Sequence, residues 1–184
     1  MASSHFFIGI SVPENVNSYL VELQEQLSLE NYYKKITFAE DFHITLLFLG
    51  DWGKEGDRES LWSALADRLA EEKPFKLALD RTGIFGSKNK PRVFWAGISG
   101  EQALSQIQEL TSSKAEEYSF HREKRPYRPH ITLAKSYNTD EDFSEGTGTT
   151  LNNMEWLVEE VILYEVRPGK KPMYKPVSKI QFSG

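Results

Sequence analysis

The chain has no cysteine, no excess of basic residues and no long hydrophobic run. Without cysteine it cannot form disulfides, thiolate nucleophiles or cysteine-ligated zinc or iron–sulfur sites, which fits a reducing compartment. The net charge of −5 and the pI near 5.5 exclude a protein that coats long stretches of nucleic acid, because such binding depends on neutralising phosphates. The first residues lack a basic stretch, and their apolar run is far shorter than the ~20 residues of a membrane helix. We therefore expect a cytoplasmic protein without membrane contact.

What remains is the composition of one folded domain: 184 residues, of which 39% are hydrophobic and 27% charged. Apolar residues at helical spacing predict three helices, around positions 16–27, 61–69 and 104–110. Short β-rich segments predict strands at 6–12, 36–38, 43–49, 75–79, 92–98, 130–134, 158–166 and 177–182. Residues 50–53 and 168–172 are predicted as turns, 83–91 as a loop and 138–153 as an exposed, mobile loop. Because many strands follow one another without a helix, the pattern predicts an α+β fold with antiparallel sheet.

An internal repeat is the most informative feature of the sequence. His-Ile-Thr-Leu occurs at 43–46 and again at 130–133, 87 residues apart, and Gly-Ile-Ser occurs at 9–11 and at 97–99, 88 residues apart. Each Gly-Ile-Ser ends a predicted strand that enters a helix. Two local matches at nearly the same offset indicate a duplicated β-α-β unit, so we predict one domain, residues 1–184, built from two lobes at about 1–90 and 91–184.

Side chains alternate along a strand, so His43 and Thr45 share one face, and His130 and Thr132 share one face in the second copy. If a pseudo-two-fold axis relates the copies, both pairs face one cleft. Imidazole and hydroxyl groups can donate to the oxygens of a phosphate, and an unprotonated imidazole can act as a base.

Two other interpretations compete with this one. A single strand histidine is more often structural than catalytic, but the repeated Thr on the same face argues for function. A zinc site needs further ligands, and no carboxylate lies two or four residues after either histidine, so we predict no metal and no cofactor. His5 and His121 have no repeat partner and are interpreted as structural or surface residues.

These motifs resemble the 2H phosphoesterase superfamily, and more narrowly the bacterial RNA 2′,3′-cyclic phosphodiesterases, also called 2′-5′ RNA ligase-like proteins. The resemblance covers nearly the whole chain, through Phe-Phe-Ile-Gly-Ile at 6–10, Phe-His-Ile-Thr-Leu-Leu-Phe-Leu-Gly at 42–50, Arg-Val-Phe-Trp-Ala-Gly at 92–97 and Arg-Pro-His-Ile-Thr-Leu-Ala-Lys at 128–135. It implies the LigT-like fold: two pseudo-symmetric lobes of antiparallel sheet around a central cleft, with helices outside.

The resemblance also implies residue roles. His43 would be the general acid and His130 the general base, with Thr45 and Thr132 binding the phosphate. Lys135 stands where the family often has Arg, and strict alternation puts it on the face opposite His130, so contact with phosphate would require a bulge.

Three basic residues are further candidates for phosphate or backbone contacts: Arg92, Arg128 and Lys135. The alternative is that they only decorate an exposed strand edge. Phe94 and Trp95 point to opposite faces of one strand, so at most one of them meets a base in the cleft.

The function implied is metal-independent hydrolysis of an RNA terminal 2′,3′-cyclic phosphate to a 2′-phosphomonoester. One alternative keeps the fold but acts on a small cyclic nucleotide or an ADP-ribose cyclic phosphate, or joins RNA through 2′-5′ bonds. Another is a non-catalytic module that binds RNA ends. The partner expected is an RNA 3′ end or a small cyclic phosphate, and no obligate protein partner is indicated.

Overall fold

The computed structural model describes residues 4–51, 55–144 and 146–184, which form a nine-stranded antiparallel sheet with three α-helices. The α+β prediction is confirmed. The strands are β1 (His5–Ser11), β2 (Tyr33–Ile36), β3 (His43–Gly50), β4 (Phe75–Gly86), β5 (Pro91–Ser99), β6 (His130–Tyr137), β7 (Glu155–Val158), β8 (Glu160–Val166) and β9 (Tyr174–Gln181). The helices are α1 (Glu14–Gln26), α2 (Glu55–Leu69) and α3 (Glu101–Glu117).

The two strands that carry the repeated motif lie side by side at the centre of the sheet. The strand order is β7-β4-β5-β6-β3-β1-β8-β9, and β2 pairs with β6 as well. Strands β3 and β6 pair only at Ile44 and Ile131, after which β2 takes the free edge of β6 from Ala134 to Tyr137. The central pair therefore separates after a short contact, as a cleft between two half-sheets requires.

The two half-sheets do not correspond to the two halves of the chain. Strand β4, before residue 90, pairs with β5 and β7, whereas β8 and β9 return from the end of the chain to β1. The physical reason is that the apolar strand β1 needs a partner on its second edge, and the buried run 161–164 of β8 supplies one. The predicted lobes at 1–90 and 91–184 thus do not coincide with the half-sheets.

All three helices cover the sheet face opposite the motif histidines. Val16, Leu20 and Leu23 of α1 are buried as their spacing predicts. The stripes of α2 and α3 are buried too, except that Leu110 is half-buried. They pack in one core with Ile44 and Ile131, the residues that alternate with the motif His and Thr. No helix within the described ranges combines the length and apolar character that crossing a membrane would take.

The prediction of a loop at 83–91 is wrong for the first half of that stretch. Strand β4 continues through Gly83 to Gly86, and only residues 87–90 connect it to β5. Gly83 is required there because a Cβ would collide with the indole of Trp95 on the paired strand. Gly83 therefore signals close packing, not a turn.

Within the segment 138–153, predicted as an exposed loop, residues 146–151 run along β4. Phe143 and Leu151 are buried, and Leu151 N–H donates to the Asp80 carbonyl. Thr82 N–H likewise donates to the Thr149 carbonyl. Two apolar side chains in a polar segment are enough to fix it against the sheet.

One smaller prediction differs from the structure, and another is only partly covered by the described residues. The strand predicted at 158–166 is split at Glu159 into β7 and β8, which belong to different half-sheets. Of the turn predicted at 50–53, Gly50 has the positive φ of +66° that a turn glycine adopts, and Trp52 and Gly53 lie outside the described residues.

Candidate active site

The antiparallel pairing of Ile44 with Ile131 fixes how the two motifs face each other. Extending that register by one residue in each direction places His43 across from Thr132 and Thr45 across from His130. The imidazoles are close enough that His130 contributes to the electrostatics of His43. The two His-Thr pairs predicted from the repeat are thus brought together at one place on the sheet.

Each motif strand contains one extra residue immediately after its Thr. Ile8 pairs with Leu47 and the next residue, Gly9, with Thr45, so Leu46 is unmatched on β3. In the same way Phe94 pairs with Ala134 and Trp95 with Thr132, which leaves Leu133 unmatched on β6. Both strands therefore carry a β-bulge at the fourth motif residue.

A glutamine side chain supports each bulge from a helix of the other repeat copy. Gln24 of α1 donates from Nε2 to the Leu133 carbonyl at 2.8 Å and to the Thr37 carbonyl at 2.9 Å. Gln108 of α3 donates from Nε2 to the Leu46 carbonyl at 3.4 Å. Because a bulge disrupts the regular backbone hydrogen bonds between strands, these side-chain amides donate hydrogen bonds to carbonyls near the bulges. Neither glutamine was identified from the sequence, although both occupy helices that follow a Gly-Ile-Ser.

The bulge on β6 decides the position of Lys135. Strict alternation predicts the face opposite His130, but the extra residue restores Lys135 to the face of His130 and Thr132. Its ammonium group contributes to the electrostatics of His43 across the central pair. Burial lowers the pKa of Lys135 itself, as does the charge of Lys35, its neighbour on β2.

The two histidines are held in the same way. Nδ1 of His43 lies 2.8 Å from the Asp41 carbonyl, and Nδ1 of His130 lies 2.7 Å from the Arg128 carbonyl, two residues earlier in each case. A carbonyl only accepts, so both Nδ1 atoms carry a proton, and in a neutral ring the lone pair is on Nε2. Nε2 of His43 lies 3.0 Å from Thr45 Oγ1, a hydroxyl that donates to the neutral ring and accepts from the protonated one.

Both histidines are neutral at physiological pH in the empty cleft. Burial lowers the pKa of His43 to about 4, an effect opposed by its bond to the Asp41 carbonyl and strengthened by His130 in its protonated form and by the charge of Lys135. Burial also lowers the pKa of His130, against its bond to the Arg128 carbonyl. A bound anion would raise both values, because it favours the protonated form.

Aromatic rings surround each imidazole. The ring of His43 lies 4.6 Å from that of Phe7 and 4.9 Å from that of Tyr174, measured between centroids. The ring of His130 lies 4.9 Å from that of Phe85 and 6.1 Å from that of Trp95. Phe94, on the opposite face, is fully buried in the core, as alternation predicts.

Two residues that position the motif strands were not predicted from the sequence. The buried carboxylate of Asp41 accepts from the backbone N–H groups of Met173 and Tyr174, and so ties the β8–β9 turn to the segment before His43. The hydroxyl of Tyr127 donates to the Thr45 carbonyl at 2.8 Å. Neither residue type is distinctive at its position, because both act through backbone atoms brought together only by the fold.

Arg92 and Arg128 are exposed at the rim of an open cleft of about 1710 Å³ whose walls include Thr45 and His130. Thr132 and Lys135 lie on the cleft face but do not line that part of it. Among the residues described, no three His, Asp or Glu side chains come together in a group that could hold a metal ion.

A duplicated His-Thr pair on the two central strands of an α+β fold defines a 2H phosphoesterase. The chain belongs to the 2′-5′ RNA ligase superfamily, whose family model matches residues 13–169. It is 31% identical to the RNA 2′,3′-cyclic phosphodiesterase of Thermus thermophilus, over 97% of this chain and 90% of that protein. It is 28% identical to the protein of that name from Bacillus subtilis, over 97% of both chains.

A third relative and two solved structures extend the comparison. The Geobacillus stearothermophilus RNA 2′,3′-cyclic phosphodiesterase is 30% identical over the whole chain, which spans 59% of that protein's length. A crystal structure of a Thermus thermophilus protein matches with a TM-score of 0.80 at 28% identity, over 98% of both chains. E. coli LigT complexed with 3′-AMP matches with a TM-score of 0.83 at 23% identity, over 98% of this chain and 99% of that one. The predicted LigT-like fold and family membership are confirmed.

The lowered pKa of His43 predicts a loss of stability in acid. Between pH 6.5, its ordinary pKa, and about 4, the unfolded chain binds a proton that the folded chain does not, so stability falls as the pH falls. Over that window His43 should account for about 2 to 3 kcal/mol of the loss. His43→Gln should flatten the dependence of the urea-unfolding free energy on pH. The same substitution at the exposed His121 is the matched control. Equal slopes in the wild type and His43→Gln would contradict this assignment.

The support of the β6 bulge by Gln24 predicts a second stability difference. Gln24→Leu leaves the Thr37 carbonyl without its amide partner and weakens the satisfaction of the Leu133 carbonyl, at a cost of about 1 to 2 kcal/mol. Gln26→Leu, on the exposed face of the same helix, should change stability by less than about 0.5 kcal/mol. Urea unfolding of both variants measures the difference. Equal values would show that the bulge does not depend on Gln24.

Proposed function

We propose that this protein hydrolyses the terminal 2′,3′-cyclic phosphate of RNA and leaves a 2′-phosphomonoester. The observation that carries the proposal is the pair of His-Thr motifs facing each other across the pairing of β3 with β6. Three relatives from three bacteria share the name RNA 2′,3′-cyclic phosphodiesterase, which supports the same substrate here. We assign the reaction to the cytoplasm, a reducing compartment compatible with a cysteine-free chain.

In the proposed reaction, Nε2 of His130 removes a proton from water as the water oxygen attacks phosphorus. The bond between phosphorus and the ribose 3′ oxygen breaks, and His43 donates a proton from Nε2 to that oxygen. The products are a 3′ hydroxyl and a 2′ phosphate, and the two imidazoles have exchanged protonation states. The Nδ1–H bonds to the Asp41 and Arg128 carbonyls suit both roles, because they keep each Nε2 directed at the substrate.

The phosphate is proposed to be held by groups on the same face. Thr45 and Thr132 donate to its non-bridging oxygens, and Lys135 adds a positive charge close to His43. When His43 is protonated, its Nε2 atom carries a hydrogen and can no longer accept a hydrogen bond from Thr45. The Thr45 hydroxyl hydrogen is then available to the phosphate. Arg92 and Arg128 reach the substrate from the rim of the cleft.

The proposed acid role requires His43 to gain a proton that the empty cleft disfavours. A phosphodiester anion beside the ring supplies the opposing charge, so substrate binding and protonation of His43 stabilise each other. The low pKa then makes the imidazolium a strong acid toward a departing alkoxide. Every group in this scheme is a side chain of the protein, and the proposal therefore assigns no role to a metal.

Product analysis is the direct test of the proposed function. A short RNA ending in a 2′,3′-cyclic phosphate should yield the 2′-phosphate, identified by its migration against synthetic 2′- and 3′-phosphate standards. The rate should be the same after exhaustive EDTA treatment, because the acid, the base and the phosphate donors are all side chains. Loss of activity with EDTA, restored by a divalent ion, would contradict the mechanism.

The division of labour between the histidines predicts an asymmetry between two variants. His130→Ala should lower kcat/KM by roughly 10² to 10⁴ for every substrate, because water activation is always needed. His43→Ala should lose as much on the cyclic phosphate, but much less on an aryl phosphodiester whose leaving oxygen has a low pKa. Rescue of His130→Ala instead would reverse the roles, and full activity of both variants would refute the site.

A further inference from the structure

The cleft that begins at the catalytic pairs continues well beyond them. Thr45 and His130 form one end, and the walls are the outer half of β3, one side of α3 and the segment 120–128 between α3 and β6. Its volume of about 1710 Å³ exceeds the ~300–1,000 Å³ typical of pockets for small ligands. We call this cleft the basic groove. A terminal nucleotide would fill only the part next to the histidines.

The walls of the basic groove carry a local excess of positive charge on an acidic chain. Five basic side chains and three carboxylates line it: Arg92, Arg122, Lys124, Arg125 and Arg128 against Glu109, Glu116 and Glu123. The excess is notable because the whole chain has a net charge of −5. Clefts with one sign of charge concentrate ligands of the opposite sign.

The three carboxylates of the groove are already paired with arginines. Arg122 lies within ion-pair distance of Glu109 and Glu116, and Arg125 within ion-pair distance of Glu123. Arg92, Lys124 and Arg128 have no ion pair among the residues that the structure describes. These three exposed cations are therefore available to an anionic ligand.

Unpaired cations beside an exposed aromatic ring favour single-stranded nucleic acid over another polyanion. The side chain of Phe48 is 58% exposed on a wall of the groove, and exposed rings give unpaired bases a surface. The opposite flank of the histidines is built differently: there the β8–β9 turn is tied to Asp41 and forms no wall of the groove.

We propose that the basic groove binds the nucleotides that precede the terminal cyclic phosphate, with Lys124 contacting an RNA backbone phosphate. The RNA chain then leaves the histidines along β3 and the segment 120–128, not over the β8–β9 turn. This inference rests on the proposed function for the identity of the reacting end. It adds that the substrate is an oligonucleotide of several residues, for which a cyclic mononucleotide is a poor substitute.

Kinetics on two substrates test the groove. The substrates are a cyclic 2′,3′-mononucleotide and an RNA tetranucleotide that ends in the same cyclic nucleotide. The wild type should prefer the tetranucleotide in kcat/KM by about tenfold or more, and Lys124→Ala should reduce that preference roughly three- to fivefold, as expected for one exposed charge contact. Lys170→Ala, an exposed lysine of the β8–β9 turn, is the charge-matched control and should keep the wild-type preference.

Binding measured without turnover separates this inference from the proposed function. A 5′-fluorescein tetranucleotide ending in a 3′-phosphate should bind Lys124→Ala more weakly than wild type in fluorescence anisotropy. The slope of log K against log salt should also fall by about 0.7, the value for one lost contact to a single strand.

The possible outcomes are distinct. Equal turnover of both substrates by the wild type, or equal binding and salt slope in Lys124→Ala, would overturn the groove and leave the proposed function intact. Lys124-dependent binding without hydrolysis of either substrate would support the groove and refute the proposed function.

Discussion

The geometry of the active site depends on one extra residue in each of the two central strands. Leu46 and Leu133 lengthen β3 and β6 by a single position directly after the His-x-Thr of each motif. A one-residue shift in a strand exchanges its two faces. Phe48 and Lys135, which follow the bulges, therefore lie on the cleft face, whereas regular alternation would place them on the opposite face. The bulges need hydrogen-bond donors from outside the sheet, and Gln24 and Gln108 provide them from α1 and α3. Each helix supports the motif of the other copy, so the two halves of the site depend on each other.

In the proposed function, the burial of His43 that destabilises the folded protein in acid also links phosphate binding to the protonation of this histidine. Burial beside Phe7 and Tyr174 keeps His43 neutral, and Lys135 adds to the cost of a proton there. An anion between the two motifs removes that cost. The protein thus maintains a cleft in which charge is unfavourable until the substrate brings the opposite charge, which couples recognition of the phosphate to the protonation state needed for catalysis.

The sequence was sufficient for features that depend on periodicity. The helix stripes, the α+β class and the placement of His43, Thr45, His130 and Thr132 on one face followed from spacing and from the repeat. Features that depend on contacts between distant segments could not be predicted this way. Gly83 is typical of a turn by residue type, and only its contact with the indole of Trp95 on the paired strand explains it. Leu46 and Leu133 look like ordinary core positions, and only their partners on β1 and β5 reveal the bulges. The glutamines that support the bulges lie 62 and 109 residues away in sequence from the carbonyls that they bind.

The pseudo-symmetry of the two motif strands ends where the bulges end, because the residues beyond the bulges differ between the two copies. The residue at the fifth position after His43 is Phe48, and the one after His130 is Lys135. Both follow the bulge of their strand onto the cleft face. One copy therefore contributes an exposed ring at the start of the basic groove, and the other contributes a cation whose field reaches His43. Burial lowers the pKa of His43 most, and the charge of Lys135 lowers it further, because a neighbouring positive charge favours loss of the proton. A duplicated motif alone gives two interchangeable imidazoles, and it is the unlike residues beyond the bulges that give the cleft a direction.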